Sequence, residues 1–205
     1  MKKRSSGTLA VLLALVGVIS CVSSSSAQSA AQSFQRAPGQ SFFLDLDVPD
    51  GSSSQWSHND LKSLTALHAV VKPLRIGKGE VGEWAFLFSI AIQAMPTMSY
   101  METTGIQSLD LRIWKDVWQN KTRLTIIAFN HQYEPHKTSD HLFRKTLAVD
   151  ESINVYMDWS QPGTVTMKVG DETYEAKIPW EVKSVSIAGA NGDTMLDRLE
   201  FGSMR

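Results

Sequence analysis

From Ile153 to Val169 the chain alternates apolar and polar side chains twice, on either side of a tight turn. Ile153, Val155 and Met157 fall on one side of the first run, with Asn154, Tyr156 and Asp158 on the other. Val165, Met167 and Val169 repeat the pattern against Thr164, Thr166 and Lys168. A period of two in β-branched residues predicts half-buried strands. Between them, Ser160-Gln161-Pro162-Gly163 supplies a fixed φ at proline and a positive φ at glycine. The two runs therefore form an antiparallel hairpin with one apolar and one polar face.

The same alternation extends through most of the chain. Phe42–Val48 sets Phe42, Leu44, Leu46 and Val48 against Phe43, Asp45 and Asp47, and Pro49-Asp50-Gly51 closes it as a loop. Glu83–Gln93 is apolar on both faces, as a strand covered on both sides must be. Leu109–Trp114 turns Leu109, Leu111 and Ile113 inward. Further strands are expected at Arg123–Asn130, Leu142–Val149, Tyr174–Ile178, Val182–Ile187 and Leu196–Phe201. Asp60–Val71 mixes two periods, because Leu61, Leu64, Leu67 and Val71 have near-helical spacing and Asn59 or Asp60 offers a cap. It predicts at most a short helix near 59–68, followed by a strand from about Ala69 to Ile76 and a hairpin turn at Gly77-Lys78-Gly79. Ten or eleven short strands with regular turn signals give an all-β, antiparallel two-sheet sandwich.

The amino terminus changes the picture of where this sandwich works. Lys2-Lys3-Arg4 followed by the apolar Leu9–Ile19 reads as a signal peptide, residues 1–20, too short to span a bilayer comfortably. Val18-Ile19-Ser20-Cys21 resembles the lipobox of bacterial lipoproteins, in which Cys21 is lipidated; the alternative is cleavage after Ala27 or Ala30. An exported protein is expected either way, as an outer-membrane lipoprotein or a periplasmic or secreted one. Residues 21–40 are rich in Ser, Ala and Gln and cannot bury a core, which makes them a flexible tether. The sandwich is then expected over 41–205, a size one domain accommodates. Cys21 is the only cysteine, so disulfides contribute nothing to that domain. Loss of the signal removes Lys2, Lys3 and Arg4 and no acid, leaving 17 basic against 21 acidic residues, a net charge of −4. A mildly acidic domain without a basic stripe gives no reason to expect a nucleic-acid partner.

Two stretches carry a family resemblance. Trp159 after the first hairpin strand, then Pro162-Gly163 and VTMKVGD, resembles a hairpin of laminin G-like domains. The ending Leu196-Asp197-Arg198-Leu199-Glu200-Phe201-Gly202 is similar to the strand that closes those domains. Together they imply the concanavalin A-like lectin/glucanase jelly roll over roughly 41–205. The resemblance implies ligands on a concave face or its rim loops, in a group that holds lectins, carbohydrate-binding modules, hydrolases, lyases and adhesion domains. Fold alone does not choose among them. The ExDxxE run of the glucanases is absent, as are the Gln-x-His and Tyr-x-Lys pairs of the lyases, so the expectation leans to a binding module rather than an enzyme. Polysaccharide or another glycan is the expected ligand, with a protein partner as the alternative.

The expected binding surface is the polar face of Leu109–Trp114. Asp110, Arg112 and Trp114 stand together there, and an indole covers the C–H face of a pyranose while charged groups meet its hydroxyls. Asn154, Tyr156 and Asp158 on the hairpin are expected to extend it. The plainer alternative tucks Trp114 under a loop and pairs Asp110 with Arg112. His131, Glu134, His136, Asp140 and His141 are five possible zinc ligands, but spacings of five suit neither a strand nor a helix face, and a solvated loop explains them as well. No motif requires a cofactor. Calcium is admitted by Asn191-Gly192-Asp193 with Asp197 and by Asp45 with Asp47, although an Asn-Gly turn needs no metal to form. Trp56, Trp84, Trp159 and Trp180 are expected in core or rim packing.

Overall fold

The computed structural model describes residues 33–77, 86–95, 107–115, 124–131 and 140–204. Among these residues are ten antiparallel strands: β1 (Phe34–His58), β2 (Ala66–Ile76), β3 (Phe86–Gln93), β4 (Ser108–Lys115), β5 (Leu124–His131), β6 (Asp140–Leu147), β7 (Ile153–Asp158), β8 (Thr164–Val169), β9 (Glu172–Lys177) and β10 (Ser184–Met204). Their hydrogen-bonded order is β6-β5-β4-β3-β10-β2-β7-β8-β9, with β1 along β10.

The long strands β1 and β10 explain this order. β10 pairs with β3 through Ser184–Gly189 and with β2 through Gly192–Gly202. β1 follows it throughout, from Phe34 opposite Met204 to His58 opposite Val185. Both strands bend midway: β1 slips register between Val48 and Ser53, with Gly51 at φ 78°, and Asn191 of β10 takes φ 51°. At this bend the ribbon passes from a first sheet, with β3–β6 as its other strands, to a second with β2 and β7–β9. The sheets stack on one apolar core. Leu109, Leu111 and Ile113 of the first share it with Leu67, Val71, Val155, Met157 and Val165 of the second. Each such side chain contributes about 1.5–3 kcal/mol on burial.

At one end of the stack Phe42, Trp56, His58 and Phe201 form an aromatic cluster. Phe42 and Trp56 come from the two halves of β1, yet their ring centroids lie 5.3 Å apart. Phe201 stacks on His58 at 4.8 Å. Only a ribbon folded across both sheets brings these rings together.

Several local expectations resolve differently. No helix forms over 59–68: Leu64 N donates to Leu61 O in a single turn, and β2 starts at Ala66. Leu61, Leu64 and Leu67 are all buried because the turn caps the core while Leu67, Ala69 and Val71 enter strand alternation. The two closing strands expected at Val182–Ile187 and Leu196–Phe201 are one strand, β10. β1 begins at Phe34, ahead of Ser41, since Phe34, Gln35 and Arg36 find backbone partners in β10. The signal segment, Cys21, Glu83–Ala85 and, beyond Gly77, the hairpin turn expected at Gly77-Lys78-Gly79 lie outside the described residues.

Candidate functional site

β4 builds a polar patch on the outer face of the first sheet by simple alternation. Its inward residues are buried in the core, so Asp110, Arg112 and Trp114 face outward together. On the β3 side the cross-strand neighbours are small: Asp110 pairs with Ala91 and Arg112 with Ser89, and these in turn meet Ser186 and Ala188 on β10, whereas on β5 Asp110 opposes Phe129 and Arg112 opposes Ile127. Trp114 is half-buried and packs against Ala188 and Ala190. A floor of serine and alanine therefore lies beside an indole and a guanidinium.

Within the patch, Asp110 is 4% exposed. Arg112 Nε donates to its Oδ2 at 3.1 Å, and the Nη2 nitrogen donates to the same oxygen. The pairing runs along one strand, at i and i+2. Burying a carboxylate demands such a partner, because its desolvation is otherwise costly. Arg112 keeps only part of its side chain, 16%, in solvent. The Asp110–Arg112 pair thus forms along one strand rather than across two, and Trp114 keeps part of its surface in solvent.

Asn154, Tyr156 and Asp158 do not extend this patch. They sit on β7, whose inward residues bury against the same core from the other side, so their polar face is the outer face of the second sheet. Alternation places each trio correctly on one face of its own strand, but the two faces point away from each other. Tyr156 stacks on His68 at 4.2 Å with the rings 4° from parallel. Asn154 Oδ1 lies 3.2 Å from His68 Nε2, and Glu200 Oε2 lies 3.3 Å from Nδ1. Asp158 Oδ1 accepts from Ser160 N at 2.9 Å, which starts the hairpin turn. His68 and Glu200 are the members that sequence reading missed. His68 stands alone among apolar residues and Glu200 follows the charged Asp197 and Arg198, so neither is marked out in its own strand, and only strand pairing, Glu200 opposite His68 opposite Tyr156, assembles them.

Of the suggested zinc ligands, Glu134 and His136 lie outside the described residues, while His131, Asp140 and His141 occupy the facing ends of β5 and β6. Among the described residues, no group of three or more His, Cys, Asp or Glu side chains is arranged to hold a metal ion. Asn191 ties the bend together instead, since its carbonyl accepts from Gly77 N and its side-chain oxygen from Gly51 N, each at 2.7 Å. Asp47 opposes Asp193, which opposes Arg75, and Arg75 Nη2 bonds Asp47 at 2.6 Å. Burial, then the charges of Asp45 and Asp47, push the Asp193 carboxyl above its ordinary value. A raised value means the folded state favours the protonated form. That contribution is complete below the unfolded-state value and is lost as pH rises through the folded one. Asp193→Asn is therefore expected to raise stability at neutral pH by less than about 1 kcal/mol, given the solvent access here, and to leave acid stability unchanged. Urea titrations at about pH 3.5 and about pH 7, on either side of the ordinary carboxylate range, check this; a loss of stability at neutral pH refutes it.

The rim tryptophans pack as expected. Trp159 Nε1 donates to Leu64 O at 3.0 Å, and with Trp180 it lines an open groove at the end of the stack. Trp56 belongs to the aromatic cluster, and Trp84 lies outside the described residues.

No protein-family model matches the sequence, and a comparison with curated proteins finds no match either. Solved structures do resemble it. The carbohydrate recognition domain of Emp47p superposes with a TM-score of 0.55 at 11% identity, covering 82% of this chain and 90% of that domain. An alginate lyase from Alteromonas sp. 272 gives 0.51 at 10% identity, over 78% of this chain and 88% of the lyase. A carbohydrate esterase from the Shiga toxin-encoding bacteriophage phi24B gives 0.50 at 9% identity, over 83% and 89%. Identities this low speak for the path of the backbone and not for its chemistry. With its strand order and long folded ribbon, the chain has the concanavalin A-like jelly-roll fold.

Proposed function

We propose that this protein is an exported, non-catalytic carbohydrate-binding module that receives a glycan on the outer face of β4. The observation that carries the reading is the half-buried Trp114 beside the buried Asp110–Arg112 pair, above a floor of Ser89, Ala91, Ser186 and Ala188. Pyranose rings have one face of C–H groups and a rim of hydroxyls, so an indole next to fixed donors and acceptors matches both. A carboxylate clamped by a guanidinium suits acceptance of hydroxyl protons better than the acid–base work of a hydrolase, which needs two carboxylates in different environments. The three structural relatives are named a carbohydrate recognition domain, an alginate lyase and a carbohydrate esterase, which supports the same ligand class.

Native affinity electrophoresis of the protein lacking residues 1–21, in gels holding different polysaccharides, tests the reading. One polymer is expected to retard the protein, with the apparent affinity falling about tenfold in Trp114→Ala, the equivalent of about 1.4 kcal/mol. Retardation that survives this substitution moves the site elsewhere, and none across the panel favours a protein partner. For the membrane anchor we rely on the lipobox-like Val18–Cys21. Palmitate labelling of the full chain in a bacterial host is expected, with none in Cys21→Ser; equal labelling of both removes the anchor.

A further inference from the structure

Before its first bulge, β1 adds a short ladder of its own. Phe34, Gln35 and Arg36 pair with Met204, Ser203 and Gly202. β1 then advances to Ser41 while β10 moves only to Glu200, so residues 37–40 loop out, with Gly39 at φ 72°. A ladder cut off by a bulge shares little of the cooperativity of the strand beyond it. Within the loop Ala37 still packs against the core, and the ladder resumes at Ser41.

Two side chains fasten this piece. The Phe34 ring meets His68 at 5.8 Å and Tyr156 at 6.2 Å, edge-on to both. Arg36 Nη1 lies 3.2 Å from Glu200 Oε1, with 56% of the arginine side chain in solvent. An exposed ion pair and two edge contacts are weak fasteners. Beneath them lies a well-ordered cluster: His68, only 5% exposed, is stacked on Tyr156 and bonded through both ring nitrogens to Glu200 and Asn154.

We propose that residues 34–36 form a strap that opens as a unit while the sandwich stays folded, uncovering His68, Tyr156, Asn154 and Glu200. The strap stands where the chain first joins the sandwich, so tension on the preceding segment loads these three rungs before any core strand. The inference is independent of the glycan reading, because the cluster lies on the opposite sheet from Trp114.

Gly202 provides a way to prise the strap without touching its fasteners. A Cβ at this position would run into the Gln35 carbonyl and the Arg36 backbone, which belong to the strap itself. Hydrogen exchange of the full chain, followed by mass spectrometry and NMR, reads the opening. Ladder amides are expected to exchange about a hundredfold faster than those of β4. Gly202→Ala is expected to speed them a further fivefold or so, roughly, with β4 unchanged. Carbethoxylation of His68 by diethyl pyrocarbonate, resolved from other histidines by peptide mapping, should accelerate in parallel. If Gly202→Ala does not fold, the double variant Phe34→Ala/Arg36→Ala, altered only at the partly exposed strap, gives the same reading. Ladder amides exchanging at the β4 rate overturn the proposal. So does a substitution that speeds β4 equally, or faster ladder exchange without faster modification of His68.

Discussion

Phe201→Ala is expected to lower the unfolding free energy by about 3–5 kcal/mol, measured as a fall in the urea midpoint at unchanged slope. Phe201 is 0% exposed and belongs to the second-sheet half of β10. Its ring stacks on His58 at 4.8 Å and on Trp56 at 6.3 Å, both from the first-sheet half of β1. It meets Phe42, from the other half of β1, edge-on at 6.1 Å. Truncation therefore opens a cavity between the sheets rather than at an edge, where large neighbouring rings cannot collapse into it easily. Phe201→Leu keeps most of the apolar volume and should cost less than half as much. A loss under about 1 kcal/mol for the alanine variant would mean that these rings do not join the sheets.

The second large effect is expected at the ribbon's bend. Asn191 combines a left-handed backbone, φ 51°, with 5% exposure and two accepted hydrogen bonds, from Gly77 N to its carbonyl and from Gly51 N to its side chain. Asparagine tolerates that φ better than residues with a branched or purely apolar Cβ substituent. Asn191→Ala strains the backbone and leaves the Gly51 amide without its acceptor, for a combined cost of about 2–4 kcal/mol. Asn191→Gly relieves the strain and keeps only the lost acceptor, so it should recover about 1 kcal/mol of that loss. Equal midpoints for the two variants would show that backbone strain plays no part at this bend.

Much of this architecture is written in alternation. Ile153–Asp158 and Thr164–Val169 became β7 and β8 with the expected faces, and the two-sided apolar run ending at Gln93 became β3 between β4 and β10. Local chemistry was legible at Asn191-Gly192, where Asn191 takes the positive φ that asparagine tolerates. That the strand continues on both sides of it was not, because a bend and a strand end use the same residues. The site divides the same way. Period two placed Asp110, Arg112 and Trp114 on one face and Asn154, Tyr156 and Asp158 on another. Alternation holds no information about which sheet a strand joins, and pairing set the trios on opposite sides. The His68–Glu200 contact was illegible for a related reason: it depends on the register of Glu200 against His68 across two strands far apart in the chain.

The folded ribbon also bears on how the protein comes to be folded at all. The strands that stitch the two sheets together are the first and the last of the described strands, and each is paired along the other from Phe34–Met204 to His58–Val185. Neither β3–β6 nor β2 with β7–β9 has another strand in common among the described residues. Contacts between residues far apart in sequence must therefore form before the core can close, which makes for a high contact order and a slow search. A chain still emerging, lacking β10, has its half-sheets but no seam. It stays in a loose, unclosed condition until β10 is available, and only then can it snap shut as one cooperative unit.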